Sequence, residues 1–211
     1  MGWAGFLFMT EVYLLCANCR SQLEPIRGIR CAICSRPLEE EGRCTDCIRW
    51  EGNPSIGCAL DSNLSLYTYN PFMKDYIARF KYRGDYELGR LFAHELKKVA
   101  SKTDMIIPVP LSEERLAERG FNQARALGEM AGLSVKEGLV RMHSEKQAKK
   151  NRRERIERQQ VFALHPDAPA FEGQTVLLID DIYTTGTTLR QAALLLKEAG
   201  ATRVKSVTIA R

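Results

Sequence analysis

The sequence predicts an α/β fold, a mainly parallel sheet with helices on both faces, preceded by a small cysteine-rich module. From residue 64 onward, apolar runs of strand length alternate with amphipathic stretches, the pattern of βαβ units. Six of the seven cysteines form Cys-x-x-Cys pairs before residue 50, where little helical or strand periodicity is visible. Between these regions "EGNPSIGCALDSN", residues 51–63, gathers Gly, Pro, Asn and Ser. That change of texture places a boundary near residues 50–62. It gives a cysteine module over 1–60 and an α/β domain over 61–211.

The elements follow in order. "LSLYTYN" (64–70) reads as a strand, and "PFMKDYIARFKYR" (71–83) as a helix with Pro71 in its first turn, where a missing N–H costs nothing. "YELGRLFAHELKKVA" (86–100) puts Leu88, Leu91, Phe92, Leu96 and Val99 on one face of a single amphipathic helix. "DMIIPVP" (104–110) is a buried strand stopped by prolines. "FNQARALGEMAGL" (121–133) is a helix with Asn122 as its cap, and "LVRM" (139–142) a short strand. "QTVLLID" (174–180) is an apolar strand, "TLRQAALLLKEAG" (188–200) a helix ended by Gly200, and "VKSVTIA" (204–210) a last strand.

The chain of 211 residues is long enough for one full domain and a smaller one, and 45% hydrophobic with 27% charged content is ordinary for a globular protein. A formal charge of +5 permits a polyanionic partner without demanding one. The longest apolar run, "GWAGFLFM" near the start, is too short to span a membrane and lacks a basic leader and cleavage site. The expectation is a cytoplasmic protein without stable membrane insertion. Met9 is an alternative start.

The most informative stretch is "VLLIDDIYTTGTTL", residues 176–189. Asp180 and Asp181 stand at the carboxyl end of a parallel strand, where open sheets bind ligands. The following turn, Thr184, Thr185, Gly186, Thr187 and Thr188, leads straight into a helix, so backbone N–H groups and the positive helix end converge on one spot suited to a phosphate. Carboxylates beside such a spot repel phosphate, so they need another duty: accepting hydrogen bonds from neighbouring sugar hydroxyls, or helping to hold Mg²⁺. The bland alternative is a strand-end residue followed by a helix cap. The whole stretch looks like the phosphoribosyl pyrophosphate (PRPP) signature of type I phosphoribosyltransferases, with Tyr183 at a position usually aliphatic. That resemblance implies Asp180 and Asp181 on the ribose hydroxyls, Thr184–Thr188 around the 5′-phosphate, and Mg²⁺ accompanying PRPP.

"IIPVPLSEERLAERGFNQA" (106–124) carries Arg115 and Arg119 just beyond a strand; locally it is equally a turn and a salt-bridged helix. Beside the signature it sits where related transferases place a pyrophosphate loop, which would comprise Pro108, Val109, Pro110, Arg115 and Arg119. "PVPL…RGFNQA", with "FKYRGD" (80–85) and the cysteine pairs, resembles the ComF family over nearly the whole chain from Cys16. The resemblance implies a role in natural transformation: assisting uptake of single-stranded DNA, with a ComFA-like translocase as partner and peripheral association at the membrane through such partners. The alternative is an active phosphoribosyltransferase in nucleotide salvage. No acceptor, base-binding hood or catalytic base is recognisable, so turnover stays open.

Residues 147–160 hold six basic side chains, among them Lys149, Lys150, Arg152 and Arg153. A solvated helix, a cover over bound pyrophosphate and a contact for single-stranded DNA are its three readings. Phe80, Tyr82 and Phe121 could stack bases, although isolated aromatics are more often core.

Two Cys-x-x-Cys turns supply the four thiolates of a tetrahedral Zn²⁺ site. Cys31/Cys34 and Cys44/Cys47 are nine residues apart, and Cys16/Cys19 and Cys31/Cys34 eleven, so spacing allows either pairing. Longer family members carry a further pair upstream; by that resemblance Cys16 and Cys19 lack their partners, and the expected structural zinc ligands are Cys31, Cys34, Cys44 and Cys47. Cys58 is expected to be a plain small hydrophobe.

Overall fold

The structure, a computed structural model, describes residues 15–54, 56–82, 85–142 and 161–211. The basic stretch with Lys149, Lys150, Arg152 and Arg153 lies outside the described residues.

Four strands build the main sheet: β1 (Ser62–Tyr67), β2 (Met105–Pro108), β5 (Thr175–Ile182) and β6 (Arg203–Ala210), in the order β1-β6-β5-β2. All three pairings are parallel, with Ile107 opposite Leu178, Ile179 opposite Val207 and Leu64 opposite Val207. Both central strands are covered on both faces, β5 being largely apolar while β6 also buries Ser206 and Thr208, and their alternation divides the core. Leu177 and Ile179 of β5 and Val207 and Ile209 of β6 face one layer; Val176, Leu178 and Val204 face the other.

The first layer contains α3 (Pro71–Tyr82), a 3-10 segment (Tyr86–Phe92), α4 (Ala93–Ala100) and α6 (Gln123–Met130). Asn70 Oδ1 accepts from Met73 N at 2.8 Å, so α3 has an Asn cap as well as Pro71 in its first turn. Met73, Tyr76, Ile77 and Phe80 are its buried stripe. Asn122 caps α6 as expected, accepting from Ala124 N and Arg125 N. The single helix expected over 86–100 is divided. Its first half winds as a 3-10 helix, in which Leu88 and Leu91, three apart, stack on one side. Gly89 packs there against Met130 and Phe80, where a Cβ would meet the Met130 sulfur at 2.6 Å.

The other layer holds α7 (Thr187–Glu198), whose Leu189, Ala192, Ala193 and Leu196 are buried at helical spacing. Beside it lies an antiparallel pair, β3 (Leu139–Arg141) with β4 (Phe162–Leu164). β4 is an addition to the expected strands, because three residues are too few to show a period. The segment carrying Cys31, Cys34, Cys44 and Cys47 packs on this side too, with the short helix α2 (Thr45–Glu51), whereas the other short helix, α1 (Ala17–Ser21), is flanked by Leu15 and Leu23, which pack on the first layer. Asn63 N donates to Ile33 O, and Ser35 Oγ to Asn63 O, joining that segment to edge strand β1. Cys58 is exposed, while Gly57, Ala59 and Leu60 of the same turn are buried. Among the described residues no helix is long and apolar enough to cross a membrane.

Candidate functional site

Because the sheet strands are parallel, the loops leaving their carboxyl ends gather along one edge. β5 delivers Asp180 and Asp181 there. β2 delivers Pro108, Val109 and Pro110, and Ser112 then caps α5 (Glu113–Arg119). The backbone of Val109 stays tied to the sheet through Ile179 O, and its carbonyl accepts from Asn122 Nδ2 at 3.1 Å. Arg115 and Arg119 fall four apart on α5 and so share a face.

A cavity of about 280 Å³ results, lined by Val109, Pro110, Arg115, Arg119, Asp180, Asp181 and Thr188, together with Lys81, Leu111, Asn122, Gln123, Ala124 and Arg141. Four cationic side chains thus face two carboxylates. Lys81, near the end of α3, places Nζ 2.5 Å from Asp181 Oδ2. Arg119 donates to Gln123 Oε1 at 2.7 Å and to the Tyr82 hydroxyl at 3.2 Å, with its guanidinium over the Tyr82 ring. Burial, then the charge of Asp181, raises the Asp180 carboxyl to about 7, against the Asp181 N–H, Lys81 and Arg141, which lower it. Burial also lowers the pKa of Arg141, and Arg115 adds to that effect. The surplus positive charge with fixed donors suits a polyphosphate better than a sugar alone.

Lys81 and Arg141 escape a reading of the sequence for site residues. Lys81 lies inside the "FKYRGD" motif, and Arg141 in a short strand, where a lone arginine carries no signal of its own.

The threonine turn divides its residues. Thr188 faces the cavity, Thr185 and Thr187 are exposed and joined hydroxyl to hydroxyl at 2.9 Å, and Thr184 lines a neighbouring recess with Tyr69 and Arg211. Gly186 sits at φ 80° as the N-cap of α7 and offers no side chain to its first turn. The Thr187 N–H donates to Thr185 Oγ1 at 3.4 Å, and the N–H groups that follow it in this twelve-residue helix are left to an incoming anion. A Cβ on Gly186 would stand 2.1 Å from the Tyr183 hydroxyl. Tyr183, unusual for the signature, is buried under the turn, and that burial pushes its phenol up to about 12.

Of the aromatics considered for base stacking, Phe80 is core and meets Phe121 edge-on at 5.5 Å. Tyr82 is exposed.

On the other side of the turn, Cys31, Cys34, Cys44 and Cys47 are all buried, and their sulfurs lie within 4.8 Å of one another. Four thiolates around Zn²⁺ at about 2.3 Å need that closeness. Burial acts to raise the Cys31 thiol, but N–H groups of Cys44, Cys34 and Ile33 outweigh it and bring it down to about 6, favouring a thiolate. These residues fit a structural zinc site with no open position. Cys16 and Cys19 stand apart from it, with Cys16 exposed at the N-cap of α1.

Fold and site together define a phosphoribosyltransferase-type domain joined to a zinc ribbon. Family models agree: a phosphoribosyl transferase domain matches residues 124–211 and a double zinc ribbon domain residues 9–48. The chain is 38% identical to competence protein ComFC of Bacillus subtilis over 99% of its own length and 89% of the relative. It is 37% identical to ComFC of Streptococcus pneumoniae over 93% of this chain and 87% of that one. Among solved structures, a hypoxanthine phosphoribosyltransferase from Staphylococcus aureus aligns over 58% of this chain and 60% of that chain, at 17% identity and a TM-score of 0.37. The chain belongs to the ComFC family of competence proteins.

Proposed function

We propose that the protein binds PRPP with Mg²⁺ in the cavity between β2 and β5, and that it serves DNA uptake by also contacting single-stranded DNA. The observation that carries the first half is the meeting of two carboxylates, four cations and a glycine-opened helix start at one sheet edge. Asp180 and Asp181 orient the ribose, the Gly186–Thr188 amides hold the 5′-phosphate, and Arg115, Arg119 and Lys81 balance the pyrophosphate. Support for the second half comes from the names of the competence proteins it is similar to and from the basic stretch over 147–160. A ComFA-like translocase is the partner this role calls for.

Calorimetric titration with PRPP in the presence of Mg²⁺ tests the site. Saturable binding is expected, weakened about tenfold or more in Asp181→Asn. Equal affinity in that variant, or no heat in the unaltered protein, rejects the assignment.

A further inference from the structure

Arg190 is among the largest side chains fully withdrawn from solvent, with 1% exposure, although it carries a permanent charge. An unpaired buried guanidinium is costly, so its partners matter. On α7 its N–H closes the first helical turn on Gly186 O at 2.9 Å, which places it directly behind the threonine turn. Its side chain runs the opposite way, into the cysteine module. Nη1 donates to Gly57 O at 2.9 Å, Nη2 points to Cys47 Sγ at 3.7 Å, and the guanidinium lies 5.3 Å from the Trp50 ring centre.

Trp50, on α2 three residues after the expected zinc ligand Cys47, reaches back: its indole N–H donates to Thr185 O at 3.0 Å. Two struts therefore run between the cluster and the threonine turn, one from each side. The first is electrostatic, because four thiolates around a divalent ion leave a net negative charge that a buried cation answers. The second is a single hydrogen bond that fixes the carbonyl preceding Gly186.

We propose that Arg190 and Trp50 are positioning residues that couple zinc occupancy of the cysteine cluster to the order of the Thr184–Thr188 turn. This rests on the reading of that turn as a phosphate site only for its consequence, a zinc-dependent affinity for PRPP. The coupling itself concerns the chain alone. The zinc ribbon is thereby a brace for the ligand loop as well as a folded appendage.

The test uses the full chain and three variants: Arg190→Lys, Arg190→Gln and Trp50→Phe. Chelator competition reads zinc affinity, and amide hydrogen exchange reads residues 184–190. Arg190→Gln is expected to bind zinc about tenfold more weakly and to exchange faster in the turn, with Arg190→Lys recovering part of the zinc affinity through its charge. Trp50→Phe keeps an aromatic ring and removes one hydrogen bond. It is expected to hold zinc as the unaltered protein does, to exchange faster at 184–188, and to bind PRPP about fivefold more weakly. Should Arg190→Gln fail to fold, Trp50→Phe decides alone: unchanged exchange in the turn overturns the coupling. Undiminished zinc affinity in a folded Arg190→Gln does so as well. Absence of PRPP binding to the unaltered protein would reject the proposed function and leave these two readouts to judge the brace.

Discussion

Lys81 Nζ lies 2.5 Å from Asp181 Oδ2, and the two side chains are only 14% and 12% exposed. The ion pair joins the end of α3 to the end of β5 beside the cavity, so this edge of the sheet is held by charge as well as by packing. Its removal from one side leaves an uncompensated carboxylate beside a second one. Lys81→Met is expected to cost about 3 kcal/mol at pH 8. The cost should shrink toward pH 5, below the value of about 7 to which the Asp180 carboxyl is raised, because a protonated Asp180 no longer repels its neighbour. Urea unfolding at the two pH values measures this; an equal loss at both would mean that the pair matters only through packing.

Asp180 supplies a second pH dependence, and its sign is opposite to that of most acids. Its carboxyl is raised from an ordinary 3.8 to about 7, by burial first and by Asp181 second. The native state therefore binds this proton more tightly than the unfolded chain does. The contribution is complete below about pH 4 and is lost as pH rises through about 7. Asp180→Asn removes that slope and should leave the protein more stable than the unaltered one above pH 7, by about 1 kcal/mol or more. Unfolding free energies collected from pH 5 to pH 8 test it, and parallel curves for the two proteins would contradict it.

Gly186→Ala combines two penalties. At φ 80° an L-residue is strained, and the added methyl meets the Tyr183 hydroxyl at 2.1 Å. A destabilisation of about 2 kcal/mol is expected, with PRPP binding abolished beyond it because the first turn of α7 must shift. Thermal unfolding with calorimetry separates the two. Retained affinity in a folded variant would show that this turn is not where the ligand's phosphate sits.

Much of this architecture is legible in the chain because strong periods announce themselves. "VLLI" before two aspartates marks β5, and Leu189, Ala192, Ala193 and Leu196 mark α7. What stays hidden has little local signal. Lys81 acquires its role through Asp181, a hundred residues away, and Arg190 through a cysteine module in the first quarter of the chain. Inside an amphipathic helix such cations read as surface. The division of residues 86–100 into 3-10 and α segments is invisible for a different reason: Leu88, Leu91, Phe92 and Leu96 satisfy the apolar spacing of either winding closely enough.

If the basic stretch meets DNA, neutralising Lys149, Lys150, Arg152 and Arg153 together should weaken single-strand binding and flatten its dependence on salt. Every phosphate that the variant no longer neutralises reduces the slope of log affinity against log salt by about 0.7. Fluorescence anisotropy with a labelled oligonucleotide at several salt concentrations measures both quantities. The same variant titrated with PRPP tests whether the stretch also serves as a cover: unchanged PRPP affinity assigns it to DNA alone.

The cysteines make a prediction about stoichiometry. Cys31, Cys34, Cys44 and Cys47 already meet within one ligand sphere, whereas Cys16 Sγ accepts the N–H of Cys19 as the cap of a short exposed helix. One zinc ion per chain is therefore expected, measured by elemental analysis of the purified protein. Cys16→Ser with Cys19→Ser should keep that ion, while Cys44→Ser should release it. Its release should cost stability in the main domain too, because the four cysteines pack in one apolar cluster with Leu60, Val204 and the buried face of α7. A lowered melting temperature of the whole chain in Cys44→Ser follows from that shared core. A main domain that melts unchanged would show that the ribbon and the sheet fold independently.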